Sequence, residues 1–336
     1  MSQPGIEATG HSAIKRNIYA IYDSLAMLAG MQLDVFTPLG GGPKNASQLA
    51  EYLQVQESKL SPLLYALVVA GLLTVEETNF SNTEESSQYL VRDSESYLGD
   101  MGDMFAKLWE VTMLTAYSIR TESPQAKFDY SALDKDGLIN FFKRQYPSGL
   151  RTGKELAQKI DFSKSKRLLD AGGGAGGLSI ALCQAYPDLQ ATIAELPSVA
   201  PISTSFVSEA GMSDRVDVMA VNLVENPVEG FYDTAVLRSL LQVLPPDHAR
   251  NAIKNIAQAI SPGGTLYVVG CILENSRLAP IASVAFNLVF LNVYDEGRSY
   301  TEEEHRSWLL EAGFTDIAIA YETMSDGFGI LTARKA

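Results

Sequence analysis

RLLDAGGGAGG, from Arg167 to Gly177, carries an apolar pair (Leu168, Leu169) through Asp170 into Gly172, Gly173, Gly174, Gly176 and Gly177. A helical pattern, LSIALCQAY, follows at once. The order reads as strand, tight turn and helix N-terminus. Glycines let backbone N–H groups approach a ligand that a Cβ would hold off. The free N–H groups of a first helical turn favour an anionic group. The run therefore predicts a nucleotide-like cofactor over the end of a strand.

Working outward, strand candidates follow as QATIAEL, VDVMAVN, TAVLRS and TLYVVGC, each separated from the next by a helical pattern. That alternation predicts a parallel sheet. DIAIAY and GILTAR are joined only by ETMSDGF, which leaves no room for a crossover helix and predicts an antiparallel hairpin at the sheet edge. Upstream, Ser12 to Val35 has helical spacing, and two short helices are expected between Asn45 and Leu73, with Asn45 as a cap. LLTVEE and SQYLV are expected to form a small β-wing, and Tyr97–Tyr117 and Leu138–Lys159 read as connecting helices. The expected architecture is α/β: a Rossmann-like domain over residues 161–336, mostly parallel with a C-terminal antiparallel hairpin. Connecting helices over 101–160 and a helical, winged-helix-like dimerisation domain over 1–100 precede it.

The 336 residues are 46% hydrophobic, enough for a sizeable core, and 40 acidic against 26 basic groups give a net charge of −14. Binding along a nucleic acid needs clustered Lys and Arg. The second short helix carries only Lys59, so dimerisation is the better reading of the winged helix. Two cysteines, Cys183 and Cys271, form no CxxC, and His11, His248 and His305 lie far apart, so no metal site is expected. The N-terminus lacks a signal-peptide pattern, and the apolar stretch from Ile281 is too short to span a bilayer. A cytoplasmic protein without membrane or nucleic-acid partners is expected.

Gly172, Gly174 and Gly177 also match the dinucleotide fingerprint G-x-G-x-x-G. Asp170, two residues before the first glycine and able to accept from a methionine amine, favours S-adenosylmethionine instead. So does the predicted terminal hairpin. Glu195, ending the next strand, has the reach for ribose hydroxyls of either cofactor.

IYDSLAMLAGMQLDVFTPL, NASQLAEYL and LYALVVAGLL, with LLDAGGGAGGLSIALCQAYPDLQATIAELPSV, AISPGGTLYVVG and EGRSYTEEEHRSWLLEAGF, carry a resemblance over the whole chain. It resembles a class I methyltransferase of the plant-type and hydroxyindole O-methyltransferase family. The resemblance implies a homodimer built through the N-terminal domain, a small-molecule substrate, and S-adenosylmethionine held by Gly172, Glu195, Leu196, Asn222, Leu223 and Arg238. Asn222 stands where an adenine-binding Asp is usual, and Leu223 where a larger residue is common.

One departure is chemical. Family O-methyltransferases carry Leu-His-Asp-Trp after the fourth strand, the histidine taking the proton from a substrate hydroxyl. Here the stretch is LRSLLQVLPPDHA, with Gln242 at that position. A neutral amide is no base at pH 7. The two carboxylates that orient the histidine would fall near Gly270 and Ser299. A thioether sulfur needs no base, which points to S-methylation of a small thioether acid. On this point the chain resembles the bacterial S-methyltransferases of dimethylsulfoniopropionate synthesis, and that resemblance implies 4-methylthio-2-hydroxybutyrate as the acceptor. Gln242 would then position the acceptor. Tyr146, Trp109, Phe290 and Tyr294 are candidates to face the cationic methyl group, with core packing as the other reading. Arg144 and Arg298 are candidates to hold a carboxylate, with surface ion pairs as the other reading. O-methylation of a phenol already ionised, a non-methylating relative and a regulator that senses S-adenosylmethionine stay open.

Overall fold

The computed structural model describes residues 13–94, 97–99, 102–127 and 133–336. Contacts gather the chain into two compact units, Met1–Glu110 and Val111–Ala336.

The first unit holds α1 (Ala13–Gln32), α2 (Phe36–Leu39), β1 (Lys44–Asn45), α3 (Ala46–Leu53), α4 (Glu57–Val69), β2 (Leu73–Glu76), β3 (Asn79–Asn82), α5 (Glu84–Tyr89) and most of α6 (Gly102–Thr112). Asn45 caps α3 as expected: its side chain accepts from the Gln48 N–H at 2.9 Å, and Gln48 accepts in return from the Asn45 N–H at 3.0 Å. The wing differs from expectation. β2 turns straight back into β3, which also pairs with β1, while SQYLV enters α5. Thr83 starts that helix by accepting from the Ser86 N–H, and Glu84 and Glu85 suit its positive end. Leu49, Leu64, Leu67 and Phe80 form the buried centre. α1 buries only Ala26, Gly30 and Met31, leaving Ile14, Ile18, Tyr19, Ile21 and Tyr22 exposed.

The second unit runs α7 (Thr115–Thr121), α8 (Lys135–Lys159), β4 (Arg167–Ala171), α9 (Gly177–Ala185), β5 (Gln190–Glu195), α10 (Ala200–Glu209), β6 (Val216–Ala220), β7 (Tyr232–Arg238), a 3-10 turn (Leu241–Val243), α11 (Pro246–Ala257), β8 (Ile260–Gly270), β9 (Ile272–Leu273), α12 (Ile281–Val293), β10 (Tyr300–Thr301), α13 (Glu302–Glu311), β11 (Phe314–Ala320) and β12 (Gly329–Lys335). Its seven-stranded sheet has the order β11-β12-β8-β7-β4-β5-β6. β4 to β8 are parallel to one another, and β12 is antiparallel to β8 and β11.

Successive strand residues point to opposite faces. Leu168 and Leu169 are both wholly buried because each face is covered. Leu168 packs with Leu156 of α8 and Ile180 of α9, and Leu169 with Ile253 of α11 and Leu309 of α13. α8 lies along α9, close enough that a Cβ on Gly153 would come within 2.7 Å of the Leu178 carbonyl. Among the described residues no helix is long and apolar enough to cross a membrane, and no cluster suited to a metal ion occurs. His248 is exposed, His305 is buried with Nδ1 at 2.8 Å from the Thr301 carbonyl, and His11 lies outside the described residues.

Candidate active site

The glycine run bends over the carboxyl end of β4. Gly172, Gly174 and Gly176 have φ of +72°, +56° and +79°, values that L side chains rarely adopt. Asp170 lies beneath them, fully buried, and a Cβ on Gly173 would stand 2.6 Å from its Oδ2. Oδ2 accepts from the Ser179 hydroxyl at 2.7 Å, whereas Oδ1 has no partner. Burial pushes this carboxyl up to about 6. Glu195 ends β5 and grips the loop: its oxygens accept from the Gly174 N–H at 3.2 Å and the Leu196 N–H at 3.0 Å. Burial raises its pKa as well.

Arg238 ends β7, with Nε donating to Thr152 Oγ1 at 2.8 Å and Nη2 to Ser148 Oγ at 2.7 Å on α8. These groups fit S-adenosylmethionine. The orphaned carboxylate oxygen suits its amine, the guanidinium its carboxylate, and Glu195 its ribose hydroxyls. Beyond β6, Asn222 accepts from the Val224 N–H at 3.1 Å and borders a cleft of about 620 Å³ with Leu244, His248 and Asn251. Leu223 turns inward, packed with Val228 and Tyr232.

Gln242, expected on the acceptor side, is fastened to the end of β8. Its Oε1 accepts from the Cys271 N–H at 2.9 Å, and a Cβ on Gly270 would lie only 2.4 Å from that oxygen. The amide thus fills the room that a side chain at 270 would take. Nε2 has no partner among the described residues, so Gln242 offers a donor. Ser299 is buried, its N–H donating to Asn287 Oδ1 at 2.7 Å and its hydroxyl to the Ser283 carbonyl at 2.9 Å. None of positions 242, 270 and 299 carries an ionisable group. Gly297 brings α12 to this point, since a Cβ there would be 2.9 Å from both the Gln242 carbonyl and Tyr294 Cβ. Tyr294 and Phe290 pack with ring centroids 6.1 Å apart, and burial pushes the Tyr294 phenol up to about 12.

The Tyr146 ring packs 4.9 Å from that of Phe206 on α10, and its carbonyl borders the glycine run, 2.8 Å from where a Cβ on Gly177 would stand. At 3.6 residues per turn, Tyr146 points to the opposite flank of α8 from Ser148 and Thr152. Arg144 shares the Ser148 flank and is exposed, its Nε donating to the Asn140 carbonyl at 3.2 Å. Arg298 pairs through Nη2 with Glu304 at 2.9 Å and lies 5.1 Å over the Tyr300 ring, because the capping carboxylate of α13 faces it, while its Nε is buried with no partner among the described residues. Trp109 lies in the first unit, stacked on Phe105 at 6.3 Å. One group that sequence reasoning passed over is Asp326, in the β11–β12 loop. In SDG an Asp reads simply as a turn former.

The family described as an O-methyltransferase domain matches residues 104–315, and that described as an O-methyltransferase dimerisation domain matches residues 16–92. The chain is 25% identical over 321 residues to the 3-hydroxy-5-methyl-1-naphthoate 3-O-methyltransferase of Streptomyces sahachiroi, covering 94% of this chain and 93% of that protein. It is 28% identical to the tetracenomycin polyketide synthesis 8-O-methyl transferase TcmO of Streptomyces glaucescens, covering 94% of each. The crystal structure of the S-adenosylmethionine-dependent methyltransferase SibL superposes with a TM-score of 0.82 at 22% identity, over 96% of this chain and 99% of that one. That last likeness establishes the fold alone.

Proposed function

The chain belongs to the O-methyltransferase family, dimerisation domain included, and from that premise we propose that it methylates a small acceptor whose nucleophilic atom has no proton for the protein to remove. S-adenosylmethionine, when bound, supplies an electrophilic methyl group on a sulfonium. Asp170, Arg238 and Glu195 hold its polar groups, with Asn222 and Leu196 flanking. One observation carries the acceptor reading: Gln242 Oε1 is committed to the Cys271 backbone, in the room a residue at 270 would need.

A thioether sulfur of a small acid fits best. It attacks without losing a proton, so catalysis reduces to positioning. The product is a sulfonium, which the faces of Phe290 and Tyr294 would favour. Arg144, exposed on the Ser148 flank, is the guanidinium offered to the acid's carboxylate. A phenol already ionised is the second reading, supported by the bare Gln242 amide donor and by the hydroxylated acceptors named for the relatives. The active species is a homodimer formed through the first unit.

The test is transfer of labelled methyl from S-adenosylmethionine to 4-methylthio-2-hydroxybutyrate, 4-methylthiobutyrate, 3-methylthiopropionate and several phenols. Label on a thioether acid supports sulfur as acceptor, whereas label confined to phenols removes it. On a thioether, turnover should stay flat from about pH 6 to 8.5 once cofactor is saturating. A tenfold rise across that window would reveal a base.

A further inference from the structure

Asp326 belongs to no part of the site named so far, yet the sheet places it there. β12 runs antiparallel to β8, with Gly329 paired to Gly270. The loop before Gly329 therefore lies over the carboxyl end of β8, the edge where α/β sheets bind their ligands. Three contacts hold it. The Ser325 N–H and hydroxyl donate to Glu155 of α8 at 2.8 and 2.9 Å. Phe328 packs edge-on to Phe286 of α12, ring centroids 6.4 Å apart. A Cβ on Gly327 would stand 3.1 Å from Ala282.

Asp326 is thus a carboxylate on a clamped loop between Arg238 and the Gly270–Cys271 corner where Gln242 is fastened. Among the described residues, the Phe328 N–H, at 3.2 Å from Oδ1, is the one donor from another residue that reaches it. Asp326 Oδ2 is bonded to no other residue and is not closed off, so this half-buried carboxylate is left able to accept from a further donor. Burial raises its pKa and so does Glu155, while Arg238 pulls it down. Its charge in turn raises the Cys271 thiol.

We infer that Asp326 is a substrate-binding residue that accepts a hydrogen bond from a hydroxyl group on the methyl acceptor. An acceptor-only group calls for a donor. With the Arg238 cation already facing it, a neutral hydroxyl is better matched than an ammonium, which the guanidinium would repel. Gln242, a donor, and Asp326, an acceptor, then read two polar groups of one molecule. The inference rests on the proposed methyl transfer and narrows its substrate to hydroxylated acceptors.

The test compares kcat/KM for 4-methylthio-2-hydroxybutyrate with that for 4-methylthiobutyrate, which lacks the hydroxyl. Wild-type protein, Asp326→Ala and Asp326→Asn are measured, each with S-adenosylhomocysteine affinity by calorimetry. Asp326→Ala is expected to lower kcat/KM for the hydroxy acid by about tenfold or more and to leave the other acid within about twofold. Asp326→Asn, which keeps an acceptor oxygen without charge, is expected to fall between, and product affinity to stay unchanged in both variants.

Equal losses on the two acids, or a loss of product affinity, would assign Asp326 to the fold or the cofactor and overturn the inference. So would no loss at all. If wild-type protein labels only phenols, the thioether reading falls and the same variants are compared on catechol, which keeps a second hydroxyl beside the ionised one, and on phenol: a tenfold loss confined to catechol keeps the inference, and equal losses or none end it. If nothing is labelled although product binds, neither reading stands.

Discussion

Asp170 is a carboxylate whose energetics conflict with its surroundings. Its folded pKa of about 6 lies above the ordinary 3.8, so between these values the folded chain holds a proton that the unfolded chain releases. Stability of the free protein should therefore fall as pH rises from about 4 to 6. Cofactor binding runs the other way, because the amine needs the ionised acid. S-adenosylhomocysteine affinity should be full above about pH 6 and drop by up to tenfold per unit below it. Calorimetry across pH 5 to 7 reads this, and a level affinity would separate Asp170 from the amine. At this scale Asp170 and Glu195 were legible in the sequence, because each ends a strand beside the glycine run. The Arg298–Glu304 ion pair was not, because Glu304 also caps a helix and the distance between the two is a product of folding.

Elements meet where side chains are missing. Gly270 ends β8 against the Gln242 amide, and the two positions share one volume. Gly270→Ala should cost about 1–3 kcal/mol by overpacking, and much less in a Gln242→Ala background, where the clash is gone. Urea unfolding of the four proteins of that cycle measures the coupling, and additive costs would deny the shared volume. α8 against α9 gives a second case. Gly153→Ala, with a Cβ 2.7 Å from backbone, should also lower stability by about 1–3 kcal/mol, and an unchanged urea midpoint would contradict the packing. The strands, their parallel core and the terminal antiparallel hairpin were readable from apolar runs separated by helical patterns, whereas the order across the sheet was not. The wing was misjudged because SQYLV is short and apolar enough for either structure, and the Thr83 cap outweighed its strand propensity.

At the scale of the whole molecule, the bare face of α1 needs a partner. Ile14 is 71% exposed, and Ile18, Tyr19 and Tyr22 continue its stripe. Ile18→Asp with Tyr22→Asp should turn a dimer into a monomer by light scattering without unfolding either unit, and a dimer that survives would place the interface elsewhere. The chain by itself determined the class of fold, and it carried the proposals for the cofactor's place and for the missing base. Each of these rests on residues adjacent in sequence or on the identity of one residue in a motif. Which way the Gln242 amide faces, that Arg298 pairs with Glu304, that Tyr146 packs on Phe206, and that Asp326 comes to the mouth of β8 were decided by tertiary structure alone. Those facts are distances between segments far apart along the chain, set by sheet register and helix packing, to which local sequence pattern is blind.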